Sequence, residues 1–147
     1  MYSVFITFAP DTVENRKTVE IMRGVFVALH HRVNVKKAPE SSIPDIADTD
    51  LVVFGVQKTP TGEPHPEFSE LLRSFKGVNL AGRAAGFFSF GTEKASSRMR
   101  RILEDTGISR SEEDPVFNDQ KGNRSTEIEE WAKRLSQFLQ ATKDARR

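Results

Sequence analysis

The chain has no cysteine. Thiolate nucleophiles, disulfides, cysteine-held zinc and iron–sulfur clusters are therefore excluded, and any redox chemistry would have to come from a bound cofactor. Ser89 precedes Phe90 and Gly91 without the Gly-x-Ser-x-Gly spacing of a nucleophile elbow, and no histidine is placed by sequence to activate it. His30 and His31 are adjacent, and adjacent residues cannot face one metal together. At a helix end, where they are expected, the dipole favours their cationic form. Asp11 and Glu14 have capping-box spacing, with Asp in place of Ser or Thr, and read as acids that cap a helix and complement its dipole. No catalytic residue and no metal ligand set can be nominated. What remains are three polar, turn-forming clusters, each following an apolar run: Ala9-Pro10-Asp11-Thr12-Val13-Glu14-Asn15, Val56-Gln57-Lys58-Thr59-Pro60-Thr61-Gly62 and Gly91-Thr92-Glu93-Lys94. Loops of this kind on a rigid scaffold are where binding groups concentrate.

The elements that must position those loops follow from the hydrophobic pattern. Val4-Phe5-Ile6-Thr7-Phe8 is a β-branched and aromatic run suited to a strand buried on both faces. After it, Val19, Met22, Phe26 and Leu29 recur at three- and four-residue steps and predict an amphipathic helix. Arg32-Val33-Asn34-Val35-Lys36 alternates like a half-exposed edge strand, and residues 41–48, holding Pro44, predict a short helix or a loop. Leu51-Val52-Val53-Phe54-Gly55 is the clearest buried strand. Phe68, Leu71, Leu72 and Phe75 mark the next helix, and residues 84–90 a fourth strand. Met99, Ile102 and Leu103 mark a helix that Gly107 would cap, while Val116-Phe117 is all that suggests a fifth strand. Thr126 and Glu129 predict a second capping box before a last helix with the stripe Ile128, Trp131, Leu135, Phe138 and Leu139. Strand and helix alternate throughout, the pattern of a doubly wound α/β domain, which right-handed crossovers leave few ways to wind. The expected core includes Phe26, Phe54, Phe68, Leu72, Phe88, Leu103, Trp131 and Phe138.

Composition sets outer bounds. With 147 residues, 37% hydrophobic and 29% charged, the chain suits one globular domain, expected over residues 1–142 with a basic tail at 143–147. Its 22 basic and 21 acidic residues leave a formal charge of +1, which gives no field arguing for nucleic acid or an anionic membrane as partner. The basic runs at 98–101 and 143–147 read as a solvated helix face and a frayed end. No apolar run approaches the ~20 residues needed to span a bilayer, and no basic start leads into a signal-type core, so the expected location is cytoplasmic.

The stretch Asp48-Thr49-Asp50-Leu51-Val52-Val53-Phe54-Gly55, leading into a loop rich in proline, threonine and glycine, resembles the flavodoxin family. Leu80-Ala81-Gly82-Arg83 and Ala85-Gly86-Phe87-Phe88-Ser89-Phe90-Gly91 are similar to that family's fourth strand and its approach. The resemblance implies a three-layer αβα sandwich whose five-stranded parallel sheet runs in the order 2-1-3-4-5. It further implies flavin mononucleotide (FMN) at the carboxyl ends, near the switch between strands 1 and 3. The FMN-contacting residues it implies are Thr12 and Asn15 in the first loop, Thr59, Pro60, Thr61 and Gly62 in the second, and Gly91 and Thr92 in the third. The activity it implies is electron transfer or FMN-dependent oxidoreductase chemistry with a redox partner protein. A phosphoacceptor receiver domain shares this topology but would need an acidic pair after strand one and an acid ending strand three, which are missing here.

The loop residues themselves point to a second reading. The family's first loop runs roughly Ser/Thr-x-Thr-Gly-Asn-Thr and converges hydroxyls and N–H groups on the phosphate. Here Pro10 has no N–H to give, no glycine permits close approach, and Asp11 and Glu14 place negative charge beside the expected dianion. Arg16 and Lys17 offset that charge only if they point towards it. Trp131 lies on an apolar helix stripe and Tyr2 begins the first strand, so His65 is left as the nearest thing to a stacking ring in the second and third loops. A flavin-free binding module, taking a protein or a small anion, therefore stands beside the FMN reading.

Overall fold

Parallel strands can be buried on both faces only if helices cover both, and the apolar runs of this chain are placed to demand that. The computed structural model describes residues 1–57, 59–60, 63–91, 94–117 and 124–146. Its strands are β1 (Ser3–Ala9), β2 (Arg32–Lys37), β3 (Leu51–Gln57), β4 (Ala84–Phe90), β5 (Ser109–Arg110) and β6 (Val116–Phe117). All pair in parallel, in the order β2-β1-β3-β4-β5, with β6 also on β4. Val4 aligns with Leu51 and Leu51 with Ala84, so the three strands expected at the centre are there, and β2 is the half-exposed edge.

Alternation along the strands sorts side chains into two cores. Val4, Ile6, Leu51, Val53 and Phe88 face α1 (Val13–Ala28) and α5 (Arg124–Asp144), which contribute Val19, Met22 and Phe26, and Trp131, Leu135 and Leu139. Phe5, Val52, Phe54 and Phe87 face the shorter α2 (Ile43–Ala47), α3 (Ser69–Ser74) and α4 (Ser97–Leu103). Trp131 is 1% exposed and meets Phe88 and Phe117 edge-on, with ring centroids 5.7 and 5.9 Å away. Leu72 and Phe138, expected in the core, are only half-buried: each packs on a core from the flank of its helix stripe.

Helix ends depart from the expected caps. α1 starts one residue later than an Asp11 cap would set it, and Thr126 lies inside α5, which already includes Arg124. His30 closes α1 in the left-handed region (φ 66°), with His30 and His31 N–H groups returning to the Val27 and Phe26 carbonyls. α5 continues through Lys143 and Asp144, two residues into the stretch read as a tail. Lys143 Nζ reaches Asp50 Oδ1 at 2.8 Å and the Gly82 carbonyl at 3.1 Å, while Asp50 Oδ2 accepts the Ser3 N–H. Burial pushes the Asp50 carboxyl up, but the hydrogen bonds from Lys143 and Ser3 outweigh it and hold the group below the usual carboxylate range.

The fifth strand is split. Ser109–Arg110 pairs with Ala84 and Ala85, and Val116–Phe117 pairs with Ser89 and Phe90, so residues 111–115 leave the sheet opposite the middle of β4. Arg100 braces that excursion: its guanidinium donates to Asp114 Oδ2 at 2.9 Å and Oδ1 at 3.1 Å while lying 4.5 Å over the Phe87 ring. Ser96 Oγ donates to the same carboxylate at 2.6 Å. Arg100 is therefore no part of a solvated face, although Arg98 and Arg101 beside it are exposed.

Two outcomes are expected. A Cβ on Gly55 would stand 2.5 Å from Phe88 Cζ, inside the ring cluster that Phe88 forms with Phe90, Phe117 and Trp131. Gly55→Ala should thus lower the unfolding free energy by about 1–3 kcal/mol, the usual cost of overpacking. Adding Phe88→Leu, which removes Cζ, should make the pair less destabilising than the sum of the singles, a coupling readable from urea midpoints. The second outcome concerns His31, whose Nδ1 accepts the Tyr2 N–H at 3.3 Å and whose Nε2 meets Ser136 Oγ at 2.8 Å. Burial lowers its pKa below 6.5, helped by the N-terminal ammonium and opposed by Asp50. A depressed histidine stabilises the fold above its unfolded pKa and loses that contribution as pH falls, because the unfolded chain binds the proton more readily. From about pH 7.5 to about pH 5.5, still above the carboxylate range, the wild-type urea midpoint should fall more than that of His31→Gln.

Candidate functional site

The sheet's register delivers three chain exits side by side. Ala9 at the end of β1 aligns with Val56 of β3, and Gln57 aligns with Phe90 of β4, so the first, second and third loops leave from one edge of the sheet. Since β2 lies on one side of β1 and β3 on the other, this is also the point where the winding direction reverses, the usual ligand crevice of such sheets.

In the first loop the two nominated residues are engaged with their own backbone. Thr12 is the N-cap of α1, in extended conformation, and its Oγ1 accepts the Asn15 N–H at 3.0 Å. Asn15 is buried, and its Nδ2 donates to the Pro10 carbonyl at 2.9 Å, which also accepts the Thr12 N–H at 3.1 Å. Asp11 turns towards two cations. Arg16 grips it through Nε on Oδ1 and through Nη2 on Oδ2 at 2.8 Å, and Lys37 Nζ from the end of β2 lies 3.5 Å from Oδ2. The hydrogen bond from Arg16 holds the Asp11 carboxyl below its usual range against the opposing effect of burial. Glu14 is exposed in the first turn. Arg16 and Lys37 are thus committed to a carboxylate of the chain itself. Together with Phe8, Val35 and Glu40 they line a groove of about 410 Å³. Sequence reasoning considered Arg16 but missed Lys37; its signal was the Lys36-Lys37 pair ending the strand that must lie next to β1.

The second loop also closes on itself. The Thr59 N–H and Oγ1 both donate to the Glu63 carbonyl, at 3.2 and 2.9 Å. Pro60 is exposed, and Thr61 and Gly62 lie outside the described residues. His65, the one stacking candidate here, uses Nδ1 to accept the Glu67 N–H at 3.2 Å and so caps the 3-10 turn Pro66–Phe68. In the third loop Gly91 is exposed at φ 95° and donates its N–H to the Phe117 carbonyl at 3.1 Å. Thr92 lies outside the described residues. Ser89 is buried, and its Oγ accepts the Ala95 N–H at 2.8 Å, which makes it a tie for this loop. Phe8 and Phe90 close the core just beneath the crevice, 6.5 Å apart and edge to face. Among the described residues, no three His, Asp or Glu side chains are grouped to hold a metal ion, and no helix is long and apolar enough to cross a membrane.

The geometry therefore joins Thr12 and Asn15 through one hydrogen-bonded cap and sets Thr59, Pro60 and Gly91 in the neighbouring loops. No family model matches the chain, and no curated protein matches it in sequence. Solved structures do match in shape. A Streptococcus pneumoniae flavodoxin superposes with a TM-score of 0.79 at 18% identity, over 92% of this chain and 99% of that one. Flavodoxin 2 from Bacillus cereus gives 0.82 at 13% identity, over 92% and 99%. A Fusobacterium nucleatum flavodoxin bound to flavin mononucleotide gives 0.75 at 11% identity, over 94% and 99%. With the 2-1-3-4-5 parallel sheet and helices on both faces, this chain has a flavodoxin-like fold.

Proposed function

We propose that this chain is a flavodoxin-fold binding module whose carboxyl-end loops contact a partner protein and do not hold FMN as a resident cofactor. The observation that carries this reading is the first loop. A phosphate dianion needs unspent N–H groups and hydroxyls at a helix start. Here the Asn15 N–H is given to Thr12, the Asn15 amide and the Thr12 N–H are given to Pro10, and Pro10 itself has no N–H. The nearest guanidinium and ammonium already hold Asp11. A phosphate entering this loop would have to displace a carboxylate that is covalently tethered beside its partners, a competitor at high effective concentration. The residues of the first loop do not fit the group the fold implies.

A second reading, an FMN-dependent electron carrier or oxidoreductase working with a redox partner protein, is favoured by the juxtaposition of the three loops and by the flavin-bound Fusobacterium structure of the same fold. FMN would supply the redox chemistry. This chain would contribute backbone contacts from Thr59, Pro60, Gly91 and their neighbours Thr61, Gly62 and Thr92. A cytoplasmic location suits either reading.

Flavin fluorescence titration separates the two. The wild-type protein should purify colourless and bind FMN no more tightly than riboflavin, since the phosphate gains nothing in this loop. Asp11→Thr combined with Glu14→Gly removes both acids and frees Arg16, leaving Lys37 paired with Glu40 alone, so the double variant should prefer FMN over riboflavin by at least about tenfold, or 1.4 kcal/mol. A wild-type protein that purifies yellow, or that already favours FMN strongly, would hand the lead to the second reading.

A further inference from the structure

Leu72 was expected in the core and is half-buried because it lines a surface groove between α3 and α4. The groove encloses about 610 Å³; Leu72, Ile102, Pro64 and Pro66 form its apolar lining, and Arg73 and Arg98 are the cations that border it. Both arginines are exposed, as is Arg101 three residues further along α4. The only acid lining the groove among the described residues is Glu63, 3.5 Å from Arg98 with both side chains about half exposed, a pair that solvent screens and a competing carboxylate can replace. α4 is a firm wall for such a groove, since Arg100 clamps it to Asp114 from the other side.

We propose that this groove docks an acidic segment of a partner protein, one that seats an apolar side chain on Leu72 and Ile102 and places carboxylates on Arg73 and Arg98. Charge complementarity selects the occupant: an apolar trough bordered by guanidiniums matches an apolar anchor flanked by acids, and arginine is the cation that best forms bidentate carboxylate contacts at interfaces. The open shape favours a chain segment over an enclosed small molecule, which a pocket would bury almost completely. The end of the second loop, Glu63 to Pro66, forms one wall of the groove, but none of the residues nominated to contact FMN lines it, so the proposal holds whichever reading of the flavin is correct.

The test uses the full chain, labelled with ¹⁵N, and two acetylated, amidated hexapeptides, DELLEE and KKLLKK. DELLEE should shift backbone resonances clustered at Leu72, Arg73, Arg98 and Ile102, and it should do so equally with and without added FMN. In the Arg73→Glu, Arg98→Glu double variant, shown folded by its circular dichroism, affinity for DELLEE should fall by at least about tenfold. KKLLKK should leave the groove resonances of the wild-type protein unmoved. The proposal is overturned if DELLEE produces no shifts, if its shifts map to the first and third loops, or if both peptides bind alike. Equal binding of a single-stranded oligonucleotide, lost in the same variant, would mark a generic anion site and overturn it as well. So would a wild-type dimer in sedimentation that the variant dissolves, since the occupant would then be a second copy.

Discussion

Everything in this molecule follows from a sheet that has no face to spare for water. β1, β3 and β4 run parallel with apolar side chains on both sides, so two helical layers are obligatory, and right-handed crossovers leave few ways to supply them in chain order. The same constraint fixes where glycine must stand. Phe88 fills its core only because Gly55, its direct neighbour in register, has no side chain, and Gly86 leaves room in the same way for Leu135 of α5. It also fixes where the loops emerge, since parallel strands all end at one edge.

How far this was legible in the sequence depended on the length of each signal. Runs such as residues 4–8 and 51–55 cannot be mistaken, because five positions of β-branched and large apolar residues, broken only by Thr7 and Gly55, leave a strand little choice but full burial. The helix stripes of α1 and α5 were equally clear, and the placement of Trp131 followed from its position on one of them. The fifth strand was half visible: two pairs of residues carry no periodicity, and the Ser109–Arg110 half is polar and held by β4 and by the Arg100–Asp114 clamp. Caps were misread by a residue or two, for a physical reason. Asp11 and Thr12 are both good N-caps, and Asp11 is instead paired with Arg16 in the first turns of α1 and with Lys37 of the neighbouring strand. Lys37 sits on another strand, and no local spacing could have announced it. The likeness to flavodoxins was legible in the order of elements, and the mismatch of the first loop was legible in its residue types. How that loop satisfies itself was not.

That self-satisfaction is a thermodynamic statement about ligands. A hydrogen bond already made inside the protein contributes on the order of 1 kcal/mol net, and breaking it to admit a ligand returns only the difference between two similar bonds. A loop whose donors await a ligand binds well because nothing must be undone. In this chain the Asn15 amide, the Thr12 hydroxyl and N–H, and the Thr59 hydroxyl and N–H are all engaged locally, within five residues of themselves. The crevice is built, and its fittings are turned inward.

The loops contribute little to what holds the protein together. The two cores are assembled from strand and helix side chains, and of the loop residues nominated as contacts only Asn15 is buried among those described. Substitutions at Thr12, Thr59 or Gly91 leave the packing of Phe88, Trp131 and Phe54 untouched, so at the crevice they cost the fold a cap or a turn, whereas under it they cost the core. The reverse holds for the α3–α4 groove, where Leu72 and Ile102 serve the core with one side and the surface with the other. Apolar side chains at such positions are constrained from within, and the charge placed around them is free to choose a partner. In a scaffold of this kind the loops at the crevice and the groove between α3 and α4 can vary independently, because the two are held by different parts of the same sheet.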